Sequence, residues 1–390
     1  MTVSHRTHLA SWLAMTLLAV AAWTIPGAAA SPPAMTAEPE DEEAPGLESR
    51  GQRIFRYDTF GSEQFFTGAL ALNEAVETVP PITALAVGLK VDVDALPEEL
   101  IDALLKGLVD LEDPAVTVAL LELDAVVGLA AQVENGQIES LGITCALCHS
   151  TVDDSLVPGI GQRLDGWAAR DLNVGAILAL SPNLEVFADL LGVDVETVEL
   201  VLASWGPGEF DAHLNLDGKA LRPDGEAASV LIPPAFGLAG VNLATYTGWG
   251  TVSYWNAFVA NLEMGGSGRF FDPRLADGAQ FPIAAANGFD DVSQTPDLIT
   301  GKLPALHAYQ LSLRAPLPPA GSFDPIAAER GATVFRQARC SQCHVPPLYT
   351  EPGYNLHSPD EIGIDSFQAD RSPTGMYRTT PLKGLWTHVD

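Results

Sequence analysis

Thr144-Cys145-Ala-Leu-Cys148-His149 and, far downstream, Arg339-Cys340-Ser-Gln-Cys343-His344 hold all four cysteines of the chain, and each copy places a histidine directly after its second cysteine. Two thiols three positions apart can add to the two vinyl groups of one haem, and the next residue's imidazole then reaches the iron. Three other uses of paired cysteines compete. A zinc centre needs four converging ligands, whereas these pairs lie far apart in sequence. Two local disulfides suit an exported chain but leave the repeated histidine without a role. A thioredoxin-type redox pair needs one motif and no histidine at that place. Two covalent haem c groups use every residue of both motifs. On that reading Cys145, Cys148, Cys340 and Cys343 are thioether anchors, and His149 and His344 are proximal iron ligands.

Upstream of each motif stands a Gly-x-x-x-Phe pattern, Gly51-Gln-Arg-Ile-Phe55 and Gly331-Ala-Thr-Val-Phe335. The second copy lies on a well-marked helix: Asp324 is the N-cap, Pro325 the first helical residue, and Ile326, Arg330, Val334 and Ala338 recur at helical spacing. It runs straight into Cys340, whereas a long stretch parts Phe55 from Cys145, so the first unit contains an insertion. Leu96, Leu100, Ile101, Leu104, Leu105 and Leu108 form one apolar helical face behind Asp94, and Asp113-Pro114 opens a second helix reaching about Leu129. Further helices follow Ser181-Pro182 and Asp194, the last stopped by Gly206-Pro207-Gly208. Asp217-Gly218 hints at a hairpin. Residues 233–282, rich in Gly and aromatic side chains, suit an irregular wall against something flat. The expected fold is mainly α, with two cytochrome c-like domains. The N-terminal haem domain, 47–314, is enlarged by a helical insertion; a linker at 315–322 leads to a C-terminal domain at 323–390.

The first residues read as an export signal, 1–30. His5, Arg6 and His8 precede the apolar stretch Leu13 to Ile25, and Ala28-Ala29-Ala30 supplies a cleavage site. That stretch is shorter than the roughly 20 apolar residues a membrane span needs, so the expectation is a periplasmic or otherwise exported protein with no span after cleavage. Residues 31–46, proline-rich and acidic, read as a tether. Lys and Arg total 20 against 50 Asp and Glu, a formal charge of −30. This excludes a nucleic-acid partner, which needs a basic footprint. Such charge serves solubility, or steers a cationic redox partner protein to the surface.

The sixth iron position separates an electron carrier from an enzyme. Met264 and Met376 are the sulfur candidates for it, and His213, His307, His357 and His388 the imidazole alternatives; packing or surface roles compete for each. A ligating histidine normally gives its other N–H to a carbonyl or carboxylate. Pro158-Gly159 and Pro346-Pro347 follow the two motifs closely enough to provide one. Arg163 and Arg222 are candidates to pair with haem propionates, against surface ion pairing, and Trp249 or Trp255 to relay electrons, against core packing. Glu263 is the acid that could move a proton if hydrogen peroxide were the substrate. A calcium ion stays open, because no compact acidic ligand loop marks a site for it.

The paired motifs, the Gly-x-x-x-Phe helix before Cys340 and the closing Tyr377-Arg-Thr-Thr-Pro-Leu-Lys-Gly-Leu-Trp386 resemble the bacterial dihaem cytochrome c peroxidases and their relatives, including the methylamine-dehydrogenase maturation enzymes. Ile54-Phe-Arg-Tyr-Asp-Thr-Phe60 and Cys145-Ala-Leu-Cys-His-Ser-Thr-Val-Asp-Asp154 resemble a branch described only as cytochrome c proteins. The resemblance implies a mainly helical, two-domain protein with one electron-transfer haem and a second haem that can be catalytic. Relatives continue past the Pro-Leu-x-Gly-Leu element into an aromatic-His-Asp-Gly segment, whereas this chain stops at His388-Val389-Asp390. The expectation is therefore a C-terminal domain lacking its end, and a chain that exchanges electrons but reduces peroxide slowly or not at all.

Overall fold

The computed structural model describes residues 46–388, which belong to one compact unit. The export signal at 1–30 and the tether at 31–46 lie outside the described residues, apart from Gly46. Among the described residues no helix is long and apolar enough to cross a membrane.

The helix that opens at Asp113-Pro114 begins as its cap predicts, with the Asp113 side chain accepting from the Ala115 N–H at 2.9 Å. It ends at Glu122, well short of Leu129. Asp124 then takes a left-handed φ of 52°, and the chain enters an antiparallel hairpin of Leu129–Glu134 and Gln137–Ile143. Asn135 and Gly136, at φ 53° and 77°, form its turn. Asn-Gly suits the two positive dihedrals that match a turn to strand twist. Ile138 and Leu141, on the second strand, are buried. The apolar run after Glu122 thus buries Ala125, Val126 and Val127 and then continues as strand rather than helix.

Four further strand pairs punctuate the rest, each only two strands wide. Helices take up 41% of the described residues and strands 12%. The fold is therefore mixed α and β with several small sheets, which overturns the expected mainly α fold of two cytochrome c-like domains. Asp217-Gly218 marks no hairpin: it closes the short helix Leu214–Asp217, with Gly218 at φ 71°. Asp194 caps Val195–Ser204 through the Thr197 N–H at 2.8 Å, whereas the helix expected behind Asp94 covers only Glu98–Leu105 and starts after Pro97, so Leu96 and Leu108 lie outside it.

The helices Leu47–Tyr57 and Leu303–Ser312 pack closely together. A Cβ on Gly51 would lie 2.0 Å from the Ala305 carbonyl oxygen, so only glycine permits this approach. One helical turn later Phe55, wholly buried, meets Tyr309 edge-on at 5.5 Å. Phe55, Phe60, Ala146, Met264, Leu306 and Tyr309 share one core. A second core, around Leu70, Leu121 and Ile138, lies under the insertion. A third is aromatic: Trp249, Phe258, Phe270 and Phe281.

Residues 313–324 are irregular, and the helix Pro325–Gln337 follows with its Asp324 cap. Beyond Thr350 the chain returns to the earlier segments. The Arg378 N–H donates to the Tyr246 carbonyl at 2.7 Å. Arg371, fully buried, donates to Asp217 at 2.8 Å and to Asp211 at 3.0 Å. Removing one member of such a buried pair typically costs ~3–5 kcal/mol.

Candidate functional site

The strand Gln137–Ile143 delivers the first motif into the interior. Thr144 Oγ1 donates to the Arg56 carbonyl at 3.1 Å, fastening the motif to the Leu47–Tyr57 helix. Cys145 then opens a single turn, Ala146–His149, and the His149 N–H returns to the Cys145 carbonyl at 3.2 Å. This turn sets both thiols and the imidazole on the wall of one internal cavity of about 730 Å³. That volume lies within the usual range for a small-molecule or cofactor site. Trp255, Glu263 and Met264 also line it, as do His213 and Tyr246, with Arg378 and Lys383 among its polar residues.

His149 Nδ1 lies 3.0 Å from the Pro233 carbonyl oxygen. A carbonyl only accepts, so Nδ1 carries the proton and Nε2 keeps its lone pair. Burial lowers the pKa of His149, partly offset by that carbonyl, so the ring stays neutral, the form that ligates metals. Burial also pushes the Cys145 and Cys148 thiols up to about 12, with Asp58 adding to the first and Glu263 to the second. Both therefore stay protonated. Glu263 is raised well above the usual carboxylate range by burial and by the nearby Asp211 charge, against the opposing hydrogen bond from Asn215 Nδ2 at 3.1 Å.

Arg378 is buried. Its Nη1 donates to the Leu243 carbonyl at 2.9 Å, while its Nε has no hydrogen-bond partner among the described residues. Burial lowers its pKa to about 10. A buried guanidinium with a spare donor is suited to an anion.

The second motif is built alike but set differently. Cys340–Gln342 is one tight turn after the Pro325–Gln337 helix, and His344 Nδ1 lies 3.2 Å from the Tyr349 carbonyl oxygen. Cys340, Cys343 and His344 are half-exposed and take no part in the cavity. Cys343, Glu351 and His357 bring ligand atoms within 4.8 Å of one another. His357 Nε2 meets Glu351 at 2.5 Å and Nδ1 meets Glu361 at 2.9 Å, and these two carboxylates, Glu351 first, raise its pKa. A group that includes a thiol is a soft donor set, unlike the oxygen cage calcium takes.

The carbonyls that hold the two histidines belong to Pro233 and Tyr349, not to Pro158-Gly159 or Pro346-Pro347. Met264 and His213 reach the cavity, and His388 lies at it, 3.0 Å from Arg170. Met376 is half-buried beside the His357–Tyr377 backbone pair, and His307 sits half-buried on the Leu303–Ser312 helix; neither lines the cavity. Arg163 pairs with the buried Asp92 at 2.8 Å and Arg222 with Asp224 and Asp365, so neither reaches it. Trp255 lines the cavity, while Trp249 packs in the aromatic core. Sequence reasoning missed Pro233, Tyr246 and Arg378. No protein-family model, curated protein or solved structure matches this chain.

Proposed function

We propose that this chain is a c-type cytochrome that carries two covalent haems and exchanges electrons with a redox partner. The observation that carries this reading is the setting of the first motif, where Cys145, Cys148 and a His149 fixed by the Pro233 carbonyl share the wall of an apolar cavity of about 730 Å³. The residues present fit a haem: two thiols for two vinyl groups, an imidazole nitrogen for the iron, apolar walls for the macrocycle, and Arg378 with Lys383 for its carboxylates. When bound, the haem supplies a one-electron couple. Cys145 and Cys148 would hold the haem through its two vinyl groups, and His149 would ligate its iron, with the Pro233 carbonyl fixing the imidazole's tautomer. The apolar wall excludes water. Cys340, Cys343 and His344 would hold the second group in a more open setting.

Kinship with the dihaem peroxidase family and export to the periplasm belong to the same proposal, supported by the motifs and the first 30 residues. The charge of −30 suits a cationic partner protein. A second reading, reduction of hydrogen peroxide, draws on Glu263, which lines the cavity and whose pKa is raised by burial.

The test is the haem content of unfolded protein made with a cytochrome c maturation system. Wild type should keep two haems per chain, and Cys145→Ala with Cys148→Ala should keep one. A chain that comes out with zinc and no haem would defeat the proposal.

A further inference from the structure

His213 is the cavity residue whose hydrogen bonding leaves most unsaid. It is 3% exposed and precedes the helix Leu214–Asp217. Its Nδ1 lies 3.3 Å from the Tyr246 hydroxyl. That hydroxyl has a single proton, which goes to Gln368 Oε1 at 3.2 Å. The Gln368 amide is itself oriented, because its Nε2 donates to the Ala228 carbonyl at 2.7 Å. The Tyr246 oxygen can therefore only accept from His213, which places the imidazole proton on Nδ1. Nε2 is then a bare lone pair, buried and without a hydrogen-bond partner among the described residues. Such an acceptor is costly to bury unless something electron-deficient meets it.

The ring is also held in plane. Trp249 stands edge-on to it at 5.5 Å, and Tyr246 at 6.1 Å. The backbone is fixed as well: Asp211 accepts from the main-chain N–H of His213 at 3.1 Å and is clamped in turn by Arg371. His149, on the same cavity, likewise has its Nδ1–H on a backbone oxygen, that of Pro233. A ligating histidine is expected to have its second nitrogen tied in this manner. Met264, the sulfur alternative, is enclosed in the core with Phe55, Phe60 and Ala146, where packing accounts for it.

We propose that His213 is the second axial ligand of the first haem iron, paired with His149, with Tyr246 as the positioning residue that fixes its tautomer. This rests on the haem reading above. It also decides between the two activities at this site, because two imidazoles close the iron and leave no position for peroxide.

The experiment uses the full-length holoprotein. Haem per chain is counted first on unfolded samples; fewer than two in wild type would sink the haem reading itself, whatever His213 does. With two present, electron paramagnetic resonance and near-infrared spectra are compared across variants. His213→Gly should convert one haem from low spin to high spin, and added imidazole should restore the low-spin signal. Tyr246→Phe should keep that haem low-spin but raise its midpoint potential, since the ligand loses the acceptor that makes it more basic. Should His213→Gly not fold, His213→Met should do so and give a new sulfur-to-iron band. Met264→Leu should change neither spectrum. An unaltered low-spin signal in the His213 variants, or loss of a sulfur-to-iron band in Met264→Leu, would overturn the assignment.

Discussion

Gly51 with Phe55 and Gly331 with Phe335 open the two motif-bearing segments with the same spacing, yet their surroundings differ completely. A Cβ on Gly51 would strike the Ala305 backbone at 2.0 Å, whereas one on Gly331 meets nothing within 4 Å. Phe55 is wholly buried; Phe335 is half-exposed, on a helix that buries none of its residues. Ile326 and Val334, on that helix, are 66% and 59% exposed. Both motif histidines nevertheless find a carbonyl for Nδ1, a local one from Tyr349 for His344 and a distant one from Pro233 for His149. The turn of each motif is thus a local product of sequence, while an enclosing cavity needs distant segments. At the first motif these come from the hairpin, from the 233–265 wall and from the returning C-terminal residues.

Phe55→Ala should break this contrast most sharply. It removes a fully buried ring from a packed core, so unfolding free energy should fall by ~3–5 kcal/mol in a denaturant titration, while Phe335→Ala should cost ~1 kcal/mol or less. Equal losses would mean that the second helix is as well packed as the first. Gly51→Ala comes next: the added methyl must push the two helices apart, at a cost of ~1–3 kcal/mol. Gly331→Ala, on an exposed helix, should instead stabilise by up to ~1 kcal/mol. Thermal unfolding of the pair should therefore move in opposite directions.

The smallest effect lies at the second motif and depends on pH. Glu351 and Glu361 raise the pKa of His357 above its usual 6.5. A raised histidine contributes stability that is fully present below the unfolded value and is lost as pH rises through the folded one. The stability advantage of wild type over His357→Gln should thus be largest below about pH 6.5 and shrink above it. An advantage that grows with pH would show that the carboxylates do not act on this imidazole.

Much of this organisation can be read from the chain by its local chemistry. Asp113, Asp194 and Asp324 cap the helices they announce, because a cap needs only its neighbours two or three residues on. The two motifs mark their own turns. The hairpin at 129–143 was hidden in an apolar run whose helical and strand periods overlap, although Asn135-Gly136 carried the turn signal. That miss is what made the fold look mainly α. The cavity wall was legible only in part. Met264, Glu263 and His213 stand among the sequence candidates, whereas Arg163 and Arg222, for which ion pairing was the alternative to a haem carboxylate, pair with Asp92 and with Asp224 and Asp365. Arg378 and Pro233 reach the cavity through long-range packing, which no spacing rule reports.

The central claim is that the four cysteines are haem anchors and not free thiols, disulfides or zinc ligands. The most direct measurement is the intact mass of denatured protein after treatment with an alkylating reagent. Two haem additions per chain and no alkylation at Cys145, Cys148, Cys340 or Cys343 is the predicted result. Four alkylated cysteines with no haem on the chain would contradict the account.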